Sequence, residues 1–243
     1  MLARALYRLR RSFKRFPYRW VTFAGLLGVS VYIIDQYVPH QHLPWRPLDI
    51  TAPTGLATDM QLTRLALSPS SSCARVIESV TDYQTRIAEP HRPNGHCGWD
   101  IAREIDGSEA ARLRPADVSM QCPLAVGLYI WMRELDKGAL EHLGSGVKSI
   151  QHYGAYSCRP IAGTRTPSEH SYANAFDVSG FVLDDGRVIS VLNDWDGKED
   201  RMRFLRSARR QACKIFRVTL SPDYNEAHKD HFHVDMGPSS TCR

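Results

Sequence analysis

The sequence predicts an α+β fold: a small antiparallel sheet with flanking helices, preceded by one N-terminal transmembrane helix. Three observations predict it. Apolar residues recur at helical spacing before residue 143 and at strand spacing after residue 147, with one more helix among the strands. An uncharged run, Trp20–Ile34, follows a dense basic block. Histidines and carboxylates gather where the last strands lie.

Residues 1–19 form a basic tail, with Arg4, Arg8, Arg10, Arg11, Lys14, Arg15 and Arg19 and no acid. Without these seven, 24 basic residues face 26 acidic ones, so the net charge of +5 belongs to the tail. The remainder gives no support to nucleic-acid binding. Residues 20–38 read as a membrane anchor. Trp20–Ile34 spans about 22 Å as a helix, short of a hydrocarbon core of about 30 Å. Arg19 can snorkel, and Tyr18, Trp20, Tyr32 and Tyr37 suit the interfaces. No small-x-small cleavage site follows, which favours an uncleaved anchor over a signal peptide. Because the basic residues precede the run, the tail is placed in the cytoplasm and residues 39–243 outside it. That is the topology of a single-pass protein of a bacterial inner membrane with a periplasmic domain. All six cysteines (Cys73, Cys97, Cys122, Cys158, Cys213, Cys242) lie on the exported side. An even count there predicts up to three disulfides, and the absence of CxxC argues against a cysteine metal site.

Residues 39–69 read as a linker punctuated by Pro39, Pro44, Pro47, Pro53 and Gly55, with a short helix over 57–67. The domain then occupies 70–243. A helix is expected over 74–87 and a loop over Glu89–Trp99. Cys122–Leu143 is helical through Leu124, Leu128, Ile130, Trp131 and Leu135, with Gly138 as an interruption. Val147–Tyr153 alternates like a strand. Phe176–Leu183 and Arg187–Leu192 form a hairpin across Asp184-Asp-Gly186. Asp200–Phe216 is an amphipathic helix whose Arg and Lys read as a solvated face. Arg217–Leu220 and His231–Met236 close the sheet. Asn193, Asp194, Trp195 and Asp196 read as a polar loop, either lining a groove or lying on the surface.

The chemistry concentrates in two segments. In His228-Lys-Asp-His231-Phe-His233-Val-Asp235, strand alternation puts His231, His233 and Asp235 on one face and Phe232 and Val234 on the other. The second segment is Ser168-Glu-His170-Ser-Tyr-Ala173-Asn-Ala175-Phe-Asp177. Imidazole nitrogens and a carboxylate are what a catalytic zinc ion takes, with one position left for water. His170 and Asp177 would lie about 10 Å apart on a helix and more than about 20 Å apart on a strand. The chain must therefore turn between them, which Ala173, Asn174 and Ala175 permit.

Ser168-x-His170-x-x-Ala173-x-Ala175-x-Asp177 resembles the SxHxxGxAxD signature of zinc peptidases that include D-alanyl-D-alanine carboxypeptidases, D-Ala-D-Ala dipeptidases and murein endopeptidases. Tyr156-Ser-Cys-Arg159 resembles the arginine-bearing turn before that signature, and His228-x-x-His231-x-His233 the histidine spacing of the murein endopeptidase type. The stretch from Gly154 to Met236 is similar to the bacterial extensin-like C-terminal domain family, closely over 147–243 and loosely over 70–145. The proline-rich repeats of plant extensins are missing.

The resemblance implies zinc ligands His170, Asp177 and His233. It implies His231 as general base, supported by His228, and Arg159 at the scissile carbonyl or its oxyanion. Asp230 stands where carboxypeptidase relatives place a glutamate base and is the alternative to His231. Ser168 and Glu169 would orient ligands, and Ala173 replaces the signature glycine. The implied protein is a membrane-anchored periplasmic zinc peptidase of peptidoglycan stem peptides or cross-links, carboxypeptidase or endopeptidase, with its catalytic core at about residues 147–243. The alternative is a catalytically silent, zinc-containing wall-binding or protein-interaction domain. Retention of His231, His228 and Arg159 favours the enzyme.

Overall fold

The computed structural model describes residues 18–68, 70–93 and 95–243. The basic block up to residue 17 lies outside them. The fold is α+β: six α-helices and one ten-stranded sheet among the described residues. The helices are α1 (Tyr18–Tyr37), α2 (Thr58–Ala66), α3 (Ser70–Glu78), α4 (Cys122–Leu143), α5 (Val191–Asp194) and α6 (Glu199–Ile215). The strands are β1 (Gln84–Ala88), β2 (Ala102–Gly107), β3 (Arg112–Arg114), β4 (Val118–Met120), β5 (Val147–Gly154), β6 (Ala175–Leu183), β7 (Val188–Ser190), β8 (Val218–Leu220), β9 (Phe232–Asp235) and β10 (Thr241–Cys242).

The sheet runs β1-β2-β3-β5-β6-β9-β8-β10, with β4 paired to β2 and β7 to β6. It is neither small nor purely antiparallel: β3 lies parallel to β5, and β10 to β8. The sequence hid the first four strands because they are short and charged. Arg86, for example, bridges Glu104 on β2 and reaches Asp117. The helix expected over 74–87 stops at Glu78, and the chain turns into β1. Tyr83 forces that turn: its buried ring packs on Tyr129 and its hydroxyl donates to the carbonyl of Ala125.

Trp131 of α4 anchors the helix–sheet layer. Its ring meets Phe181 of β6, Phe216 and Phe232 of β9, and its Nε1 donates to the Ala208 carbonyl of α6. Gly138 does not interrupt α4. The helix runs through it unbroken, and a Cβ there would meet Ser207 Oγ at 3.8 Å, an ordinary contact. The strand expected over Arg187–Leu192 is cut to Val188–Ser190, because Ser190 caps α5 and Asp194 turns back to accept from the Ser190 N–H. Trp195 is neither groove nor surface loop: it is buried against Phe232, with the Arg206 guanidinium over its ring.

The segment 39–68 is tied down rather than slack. Leu43 and Ile50 are buried, Arg133 donates to the Ile50 carbonyl, and Gln61 donates to the carbonyls of His40 and Leu43. No residue of α1 is buried. Among the described residues, no helix is long and apolar enough to cross a membrane. The expected transmembrane segment does form a helix, Tyr18–Tyr37, but not one that meets that length and apolarity. Three disulfides, Cys73–Cys122, Cys97–Cys158 and Cys213–Cys242, use every cysteine.

Candidate metal centre

Central strands β6 and β9 place the site. Their antiparallel register sets Asp177 opposite His233. Alternation sends Phe176, Val178, Phe232 and Val234 into the helix-covered core and leaves Asp177 and His233 on the other face. His170 arrives from a short 3₁₀ turn, Glu169–Tyr172, which Ser168 caps by accepting from the His170 N–H. Ala173 then takes a left-handed conformation, φ 54°, that delivers the chain into β6. The turn keeps the geometry a glycine favours. The Ala173 methyl is fully buried, packed with Ala88, Trp99 and Ala102, and that contact offsets the local strain.

These elements bring His170, Asp177 and His233 together. His170 Nε2 lies 3.1 Å from Asp177 Oδ2 and 3.2 Å from His233 Nδ1, and His233 Nδ1 lies 2.9 Å from Asp177 Oδ1. The far nitrogens are held as well. His170 Nδ1 faces the Ala155 carbonyl at 3.2 Å, and His233 Nε2 faces Asp235 Oδ2 at 3.1 Å. Both partners only accept, so each far nitrogen carries the proton and each near nitrogen directs a lone pair inward. Two lone pairs and a carboxylate cannot share one point without a cation. In the metal-free protein a proton serves. Burial would push the His233 imidazolium down, but Asp177 and Asp235 outweigh it and lift its pKa to about 9. Burial likewise opposes the Asp177 carboxylate, and its contacts with the His170 and His233 rings hold it far below the usual carboxylate range.

The donor set fits a metal ion. Bonds of about 2.0 Å around a tetrahedral ion space its ligand atoms about 3.3 Å apart, close to the separations found here. Outer hydrogen bonds of the kind Ala155 and Asp235 supply are what orient metal-bound imidazoles. Among the described residues, these three are the group that could hold an ion.

The remaining motif residues surround this centre. His231 Nε2 lies 3.7 Å from Asp177 Oδ1, and its Nδ1 lies 2.8 Å from Asp230 Oδ1. Asp230 also accepts from the Tyr153 hydroxyl at 3.1 Å. Asp230 therefore orients His231, which argues against its standing as the alternative base. Tyr153 was not singled out from the sequence: it lies 77 residues from Asp230, and only the β5-β6-β9 strand order joins them. The His228 ring packs against those of His231 and His233. Burial, then those two imidazoles, push its pKa down to about 4, so it is neutral at physiological pH. The Arg159 guanidinium is exposed and makes no hydrogen bond or ion pair among the described residues, while its positive charge also disfavours protonation of His228. The Arg159 backbone is pinned by Ser168 N–H and Ser171 Oγ. Among the described residues the Glu169 carboxylate accepts from Asn174 and hydrogen-bonds to none of the three, and burial raises its pKa.

A family model described as extensin-like protein C-terminus matches residues 71–243. The chain belongs to that family. The match takes in β1–β4 and α4 as well as the histidine segments, so this extensin-like domain includes the region that the sequence resembled only loosely. Comparisons with curated proteins and with solved structures return no match.

Proposed function

We propose that this extensin-like domain is a zinc-dependent peptidase acting on peptidoglycan stem peptides or their cross-links, anchored in the inner membrane by α1 and exposed to the periplasm. One observation carries the enzyme reading: two inward imidazole nitrogens and one carboxylate converge, each imidazole locked from behind, beside a third histidine held by its own carboxylate. His170, Asp177 and His233 would hold the ion. When bound, zinc lowers the pKa of a water molecule to about 7 and polarises a carbonyl.

The chain's own residues supply the rest. Asp230 takes the His231 Nδ1 proton as a hydrogen bond, so Nε2 is free to accept a proton beside the centre and return it to a leaving amine. Neutral His228 flanks His231 without adding a competing charge. Arg159 offers an unpaired guanidinium to an oxyanion or a substrate carboxylate. The disulfides and the wholly unburied apolar helix α1 support the exported, anchored reading. The substrate class rests on the resemblance of the Ser168–Asp177 and His228–His233 motifs to those peptidases. The test is to incubate the full chain, loaded with zinc, with purified peptidoglycan and to weigh the released fragments by mass spectrometry. Cleaved stem peptides are expected, and fragment masses name the bond. Bound zinc with intact peptidoglycan would favour the silent wall-binding domain.

Two further outcomes follow. Asp230→Asn leaves the ring partner without its charge, and turnover is expected to fall about 10- to 100-fold with metal content unchanged. Loss of metal from this variant would contradict the orienting role. Metal binding must also displace the His233 proton, so affinity is expected to rise about tenfold per pH unit through neutrality and level off near pH 9. The sign for the metal-free protein is opposite. A histidine raised from its unfolded value near 6.5 stabilises below that value, and the benefit is lost as pH rises through 9. Zinc titrations followed by calorimetry at several pH values check both, and a pH-independent affinity would refute the displaced proton.

A further inference from the structure

Two cavities lie away from the metal centre, one lined by the carboxylates Asp136 and Asp184 and one lined by arginines. The second has a volume of about 430 Å³ and opens between the segment following α1 and helices α2 and α3. Among the described residues that line it are Arg46, Arg64 and Arg75 and no carboxylate, and Leu65 and Val76 form an apolar wall. That volume is in the range of small-molecule sites, about 300–1,000 Å³.

The three arginines are not equivalent. Arg46 is spent on Asp35 of α1, with Nε 2.8 Å from Oδ1 and NH2 2.5 Å from Oδ2. That fork fixes the cavity to the last turn of α1, where the apolar run ends. Arg64 gives one bond to the Trp45 carbonyl at 3.2 Å, and Arg75 one to Ser72 Oγ at 3.3 Å. Among the described residues neither has a carboxylate partner, as Arg46 does. Each guanidinium carries five N–H donors, so most of those on Arg64 and Arg75 remain to be used.

We propose that this cavity binds a phosphate ester carrying an apolar portion: the headgroup of an anionic phospholipid at the membrane surface where α1 emerges. Arg64 and Arg75 fork onto the phosphate oxygens, as guanidinium groups do with planar precision. Leu65 and Val76 face the glycerol and the start of the acyl chains. The site thereby holds the domain against the bilayer beside a helix whose apolar stretch is short. The lipid as source rests on the anchored reading of α1; the phosphate chemistry does not.

The test uses the full chain purified in a neutral detergent and native mass spectrometry. Phosphatidylglycerol, phosphatidylcholine and inorganic phosphate are the probes. Wild type is expected to retain phosphatidylglycerol over phosphatidylcholine, and Arg64→Gln/Arg75→Gln to lose roughly thirtyfold in that retention, the effect of two basic residues at an anionic surface. Thermal unfolding of the double variant confirms its fold, and Arg203→Gln on α6 is the charge control. Equal phosphatidylglycerol binding by the double variant overturns the site. Inorganic phosphate binding as tightly as the lipid, lost in the same variant, keeps the anion site and overturns the lipid as its source. Carbonate extraction of cell membranes reads the anchor alone: release of the chain into the soluble fraction sinks the membrane reading, whereas retention combined with an inert double variant sinks only this cavity.

Discussion

Replacing His233 with alanine is expected to take bound zinc from about one ion per chain to none and to abolish hydrolysis with it. The side chain supplies the ligand atom that joins the other two: its Nδ1 contacts both His170 Nε2 and Asp177 Oδ1. Removing it also leaves Asp177, a buried carboxylate, with one imidazole partner in place of two. A partner lost from a buried polar group costs about 1–3 kcal/mol, so metal-free His233→Ala should melt earlier than metal-free wild type. His231→Ala separates the roles. His231 lies 3.7 Å from Asp177 and outside the converging set, so metal should stay while turnover falls about 10²- to 10⁴-fold, the weight of a general acid–base group. Metal analysis of the two purified variants decides the matter. Equal metal loss from both would make His231 a ligand and break the division of labour proposed for the site.

That division was partly legible in the sequence. The resemblance of the Ser168–Asp177 and His228–His233 motifs to zinc peptidases implies His170, Asp177 and His233, and the alternation of Phe232, Val234, Phe176 and Val178 gives the strands that carry two of them. The amphipathic pattern of α6 and the hairpin at Gly186 read directly, because one buried face repeats at a fixed period. The outer links did not read. The Ala155 carbonyl behind His170 is a backbone atom with no sequence signature. Tyr153 reaches Asp230 only because β5 lies beside β6 and β6 beside β9. Strict alternation from His231 and His233 would turn Asp230 away from the site, yet β9 begins at Phe232, so Asp230 sits before the strand and bends round to the imidazole of His231. Residues 84–120 failed for another reason: short strands with charged faces take their register from partners such as Glu104 and Asp117, not from a hydrophobic period.

Reducing the disulfides is expected to have the second large effect. The three bridges close segments of 49, 61 and 29 residues. In the chain-entropy account each contributes about 3.5–4.5 kcal/mol, with measured values more often about 2–4. Their sum rivals the roughly 5–15 kcal/mol that holds a whole domain folded. The melting temperature should therefore fall by more than about 15 °C in reductant, read by circular dichroism with the six thiols titrated afterwards. An unchanged melt with all six thiols free would sink the claim. The bridges should also differ in kind. Cys158 precedes Arg159, and its bond to Cys97 ties the loop that presents that guanidinium. Cys213–Cys242 instead fastens α6 to the edge strand β10. Cys97→Ser/Cys158→Ser should lower turnover per folded molecule by at least about tenfold, because a misplaced oxyanion partner loses much of its effect. Cys213→Ser/Cys242→Ser should lower stability and leave turnover per folded molecule intact. If both pairs reduce turnover alike, the Cys97–Cys158 bridge holds the fold and not the position of Arg159.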